Sequence, residues 1–177
     1  KPAMTGTGMV ANLRTAGLRL GTGVWLCAQL LAWAQESWPV AALQVALDRR
    51  QFSPGCIDDH LGAQTRTALR AWQNAHHLPV TGVNDAATAA TLTADVPPIA
   101  EYTLTAEDFA QLGPAPADWQ ARAAQTAMPY ETILELVAER FHATQRFIRA
   151  LNPQVNWDTL RTPAAVRVPN VLTDQPL

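Results

Sequence analysis

The stretch FSPGCIDDHLGAQTRTALRAWQ, residues 52–73, decides the fold. Pro54 presets φ and Gly55 tolerates positive φ, so residues 52–55 read as a turn. After Gly62, the residues Thr65, Ala68, Leu69 and Trp72 recur at three- and four-residue steps. That spacing predicts one apolar face of a helix. Upstream, Val40, Leu43 and Leu47 mark a first helix. Downstream, LPVTGVNDAATAATL (78–92) reads as a turn and a short third helix, with Asn84 or Asp85 as N-cap. The expected shared core is Leu43, Leu47, Ile57, Leu61, Leu69, Trp72, Leu78 and Leu92.

These motifs carry a family resemblance. In order they are Leu43-Gln44 with Leu47, F-SPG-x-ID (52–58), G-x-x-T-x-x-AL-x-A-W-Q (62–73), LPVTG (78–82) and D-x-x-T (85–88). The series resembles a peptidoglycan-binding three-helix domain over residues 38–95. Asp59 departs from the pattern: the family usually has Gly there, and Asp tolerates a left-handed turn less well than Gly.

Composition permits a folded chain of 177 residues, 48% hydrophobic and 16% charged. The net charge is −2, with no basic block interleaved with aromatics, so nothing points to nucleic acid. Residues 1–8 read as upstream or non-native. From Met9 the order Arg14, Arg19, an apolar run over 24–34 and a polar 35–37 fits a signal peptide at 9–34, cleaved after Ala34. The run is too short for a membrane span. Cleavage leaves ten basic against fifteen acidic residues, so wall binding must rest on shape, hydrogen bonds and apolar contact. It also leaves Cys56 as a single cysteine, read as a small, partly buried apolar loop residue.

The paired prolines at 97–98 mark a linker, 96–100. YTLT (102–105) alternates like a short strand. Residues 106–129 are rich in Ala and Pro and read as an insertion, with a short helix at 119–127 capped by Asp118. Helical periodicity returns over 131–141, and Thr144 caps a second helix that stops at Asn152-Pro153. AVRVP (165–169) is a second strand.

Strand, helix, helix, strand over 101–170 resembles a LysM domain, on YTLT (102–105), ILELVAERFHAT (133–144), FIRALNP (147–153) and VRVPN (166–170). LysM domains run from strand into a Gly-Asp-Thr helix start; here Glu107-Asp108 stands near that position and the insertion follows. The expected fold is therefore mainly α: a three-helix domain plus a small α+β unit. The whole order resembles the N-terminal half of bacterial L,D-transpeptidases. That resemblance implies an exported, periplasmic or wall-associated protein, with 171–177 expected as the start of a catalytic domain otherwise absent from this chain. A Ser-His-Gly-Cys-x-Arg motif does not occur.

Ligand-contact candidates are Asp58, Asp59, Arg66 and Arg70 in the first unit, and Asn152 and Pro153 in the second. Arg66 and Arg70 lie four apart opposite the apolar face; a guanidinium matches a stem-peptide carboxylate, and the alternative, which the position favours, is a solvated helix face. Asp58-Asp59-His60 is weighed as a metal or acid–base site against turn-forming carboxylates; adjacent side chains seldom converge, which favours the turn. Trp72 is assigned to the core by its face, whereas Trp38, Trp119 and Trp157, at element edges, are stacking candidates. The histidines at 76, 77 and 142 close helices and suit their C-terminal dipoles. No nucleophile–base set or metal-ligand spacing appears, so neither catalysis, metal nor cofactor is expected. The leading reading is a wall-targeting region with peptidoglycan as partner. The alternative is an intramolecular scaffold that positions or shields its own catalytic domain.

Overall fold

The computed structural model describes residues 39–93 and 96–171. The expected leader at 9–34, Cys27, Trp38 and residues 172–177 lie outside them. Among the described residues the order is α1 (Pro39–Asp48), α2 (Ala63–Ala75), α3 (Ala86–Thr91), β1 (Ile99–Leu104), α4 (Ala106–Phe109), α5 (Trp119–Ala123), α6 (Ile133–Arg140), α7 (Gln145–Leu151) and β2 (Ala164–Pro169). The chain is mainly helical, with one small sheet.

Capping residues set most helix starts. Pro39 opens α1, where a missing N–H costs nothing. Asp85, Asp118, Thr132 and Thr144 each accept the N–H three residues on, which satisfies an orphan donor of α3, α5, α6 and α7. Strands β1 and β2 pair antiparallel from Ile99 opposite Pro169 to Leu104 opposite Ala164.

Two apolar cores form. The smaller holds Leu43, Leu47, Leu69, Trp72 and Leu92, with Phe52 and Leu61 against it, as the periodicity predicts. The larger gathers Leu104, the inner faces of α6 and α7, and Val166 and Val168 of β2. Helix α1 serves both: Leu43 and Leu47 face the first, Ala41 and Val45 the second.

Ile57 corrects the expected core. It is fully buried in the larger cluster. Its N–H donates to the His142 carbonyl at 2.7 Å, and its carbonyl accepts the Thr144 N–H at 3.1 Å. The loop of the first segment thus forms a bridge to the α6–α7 turn, paired at Ala143. Leu78 is only half-buried. The expected linker is tied down as well: Asn170 donates to the Pro98 and Pro97 carbonyls, and β1 already begins at Ile99. The insertion closes at its neck, where the Gly113 N–H donates to the Tyr130 carbonyl and the Tyr130 N–H donates to the Gln111 carbonyl.

Two buried glutamines organise the loops of the first segment. The Gln44 amide donates to Asp58, the His60 carbonyl and Thr65, while its oxygen accepts the N–H groups of Asp58 and Asp59. Gln73 does the same for the LPVTG turn: it donates to Thr81, Val83 and Thr88 and accepts the Gly82 N–H. Each amide replaces the water that a turn backbone otherwise requires.

Candidate functional site

The first candidate surface is the loop ahead of α2. Gly55 has φ +82°, and a Cβ there would meet the Gln64 side chain, so the turn requires glycine. Asp59 has φ +60°, a left-handed conformation that Asp reaches at modest cost. Its carboxylate accepts the N–H groups of Val40 and Ala41 at 3.1 and 2.8 Å. The residue that departs from the Gly of the family pattern therefore caps α1 from a distant loop. Asp58 accepts from Gln44 at 2.9 Å and from the His60 N–H at 2.9 Å. Both carboxylates bond their own scaffold, as the turn reading expects. Among the described residues, no group of three His, Cys, Asp or Glu is placed to hold a metal.

A groove of about 310 Å³ opens between this loop and the start of α2, with Cys56, Asp58, His60, Gln64 and Thr65 in its walls. The Cys56 thiol is free and exposed, a correction to the partly buried reading. The imidazole of His60 lies 3.2 Å from the Arg146 guanidinium of α7, so both halves of the chain border this surface. Arg66 is half-buried and Arg70 exposed, and neither lines the groove. Arg70 lies over Gly82, whose φ of +71° strains any other residue and where a Cβ would meet the Arg70 side chain.

The second surface is a groove of about 400 Å³ between the α4 segment, the first turn of α6 and residues 157–161. Asn152 and Pro153 do not line it. Asn152 is buried: its amide donates to the Ile148 and Arg167 carbonyls and accepts the Arg167 N–H, joining α7 to β2. Its assignment as a ligand contact is corrected on that ground, whereas Pro153 remains exposed. Trp157, expected at an edge, is 6% exposed, while Trp119 is 74% exposed.

Asp108, Arg140 and Tyr102 tie α4 and β1 to α6. Asp108 pairs with Arg140, accepts the Tyr102 hydroxyl at 2.8 Å and accepts the Thr105 N–H at 2.9 Å. Arg140 also donates to the Tyr102 hydroxyl. Burial pushes the Asp108 carboxyl up, but the Thr105 N–H, Arg140 and the Tyr102 hydroxyl outweigh it and hold its pKa below the ordinary value. Burial and the adjacent Asp108 raise that of Tyr102. Sequence position relates Thr105 to Asp108 by capping-box spacing, the one local signal of this cluster.

Asp108→Asn should destabilise the chain by about 2 kcal/mol. That lies below the loss from a fully buried pair, because the Arg140 side chain keeps 27% exposure. The folded pKa is depressed, so the carboxylate's contribution is present above the ordinary value of 3.8 and is lost as pH falls through the folded value. Denaturant titrations should show the gap between parent and variant narrowing only in acid, below about pH 4. A constant gap from pH 7 to pH 3 would assign the loss to packing.

At the first surface, polar groups held by the buried Gln44 amide border a shallow groove. That arrangement suits hydrogen-bonded recognition of a polymer. Residues 38–92 match the family model described as a putative peptidoglycan binding domain. No curated protein matches the chain. No helix among the described residues is long and apolar enough to cross a membrane.

Proposed function

We propose that this chain is the non-catalytic, wall-binding region of a larger exported enzyme of the L,D-transpeptidase kind. The observation that carries the reading is the peptidoglycan-binding match over residues 38–92, on a loop that Gln44 holds rigid without drawing on Arg66 or Arg70. Stem peptide or glycan is the partner, and Arg66 and Arg70 are the groups on α2 that meet a stem carboxylate. The second half, LysM-like in its strand and helix order, presents the larger groove to N-acetylglucosamine-containing strands. The bridge at Ile57 makes the two surfaces parts of one body, so a single polymer engages both in fixed relation.

A second reading is favoured by the same bridge. Ile57 belongs to the loop expected to meet ligand, yet it docks on the α6–α7 turn. That supports a scaffold that positions or shields a catalytic domain without binding glycan.

Sedimentation with purified sacculi separates the readings. The chain should co-sediment at micromolar concentration, and binding should survive moderate salt, because an acidic chain does not bind an anionic wall by long-range attraction. Arg66→Ala with Arg70→Ala should weaken binding roughly tenfold or more, as expected for losing two charge-assisted contacts. No soluble muropeptides should appear. A chain that stays in the supernatant at every salt concentration would leave the scaffold reading.

A further inference from the structure

Two histidines stand where the first segment meets α6 and α7. His60, on the loop ahead of α2, reaches Arg146 of α7, and His142, in the α6–α7 turn, reaches Asp48 of α1. The partners of His60 fix the place of its proton. A backbone carbonyl only accepts, so Nδ1, 2.8 Å from the Asp58 carbonyl, carries the hydrogen and donates it. A guanidinium only donates, so Nε2, 3.2 Å from Arg146, is the bare nitrogen and accepts. Each contact separately demands the same species, a neutral imidazole protonated at Nδ1.

A second proton removes that species. It goes to Nε2, the atom facing Arg146, so one N–H then opposes another with positive charge on both sides. Arginine keeps its charge and does not yield. The loop carboxylates are engaged elsewhere. Asp58 accepts from Gln44 and from the His60 backbone N–H, and Asp59 is turned to the N–H groups of Val40 and Ala41. The Cys56 thiol shares the groove wall and is free. The Nδ1 bond to the Asp58 carbonyl suits either state, so a charged ring stays on its loop and parts from α7. His142 responds with the opposite sign. Its Nδ1 lies 3.0 Å from the Asp48 carboxylate, and a charged ring converts that hydrogen bond into an ion pair.

We propose that His60 and Arg146 form a proton-released clasp on the wall of the groove of about 310 Å³: closed with the neutral imidazole and open with the imidazolium, while Asp48 and His142 keep the junction tied. Imidazoles take up their second proton within about pH 5–8, which sets the working range. Both partners are exposed, so the clasp favours the closed rim only about two- to fivefold. It does not depend on what the groove binds.

The test uses the whole chain, labelled with ¹³C and ¹⁵N, taken from about pH 8 to about pH 5. The His60 ring signals are identified by their loss in His60→Gln. At the upper pH, long-range ¹H–¹⁵N spectra should show His60 protonated at Nδ1 and bare at Nε2. The Cζ resonance of Arg146, identified by its loss in Arg146→Ala, should move as His60 takes up its proton and hold still in His60→Gln. A proton on Nε2 at the upper pH, or an Arg146 signal that behaves alike in parent and variant, would overturn the proposal. Denaturation of the parent, His60→Ala, Arg146→Ala and the double variant reads the coupling between the two. It should be about two- to fivefold in the folding constant at the upper pH and vanish at the lower. The same cycle on Asp48→Ala and His142→Ala should run the other way, growing as pH falls. A His60–Arg146 coupling equal at both pH values also sinks the clasp. Sacculus binding without the coupling would leave the wall-binding reading alone; a pH-dependent coupling without sacculus binding would leave the clasp alone.

Discussion

Trp72→Ala is expected to destabilise the chain by about 3–5 kcal/mol, the range for truncating a large buried aromatic. The side chain is 5% exposed and belongs to the smaller core. Phe52 meets it edge-on at 5.3 Å, the His76 ring stacks on it at 3.6 Å, and the Arg50 guanidinium lies 5.7 Å from its centroid. Its indole N–H donates to Thr91 at 3.2 Å, which ties α2 to α3. Truncation therefore empties a core position and also removes the partner of α3. Trp72→Phe keeps most of the apolar contact and should cost about 1 kcal/mol, chiefly the lost hydrogen bond. Chemical denaturation of parent and both variants checks the order. An alanine variant that melts like the parent but loses sacculus binding would make Trp72 a sugar platform, against its burial.

That tryptophan was legible because its neighbours on α2 are periodic. Thr65, Ala68 and Leu69 are buried with it, as a single helical stripe requires. Local chemistry also marked Asp85, Asp118 and Thr144 as caps, and the structure uses all three. The strands begin three residues and one residue earlier than alternation indicates, at Ile99 and Ala164, because cross-strand bonding continues where the side-chain pattern has faded. What sequence could not convey were contacts closed over long distances. Gln44 and Gln73 look like surface residues until the loops they hold are folded over them. Asp108 finds Arg140 32 residues later, and nothing near either predicts the pair. Asn152 was read from a helix-stop signal, which is silent on whether its amide faces solvent or β2. Trp157 departs in the same way: a turn position reads as exposed, although the side chain is buried.

The bridge at Ile57 carries the second large effect. Ile57→Ala should cost about 3–4 kcal/mol, since a fully buried aliphatic side chain is replaced by a cavity. The position of the residue makes the consequence more than a loss of stability. Its backbone bonds to His142 and Thr144 persist in the variant, but the side chain that anchors the loop within the larger core is gone. Other cross-links include Ala41 and Val45 of α1, the His60–Arg146 contact at 3.2 Å, the Asp48–His142 contact at 3.0 Å and the Arg49 bond to the Asn170 carbonyl at 3.0 Å. The last two lie near the surface and contribute about 1 kcal/mol or less each. Unfolding of the parent should therefore be a single transition, and Ile57→Ala should lower its midpoint and separate two steps. Tryptophan fluorescence reports Trp72 in one core and Trp157 in the other, so single-tryptophan variants resolve which core opens first. Hydrogen exchange at the Ile57 and Thr144 amides should rise before exchange at Leu69 or Leu136. If the variant still unfolds in one step with both amides protected to the global limit, α1 alone holds the two cores together, and the loop of residues 52–62 is free to serve its ligand.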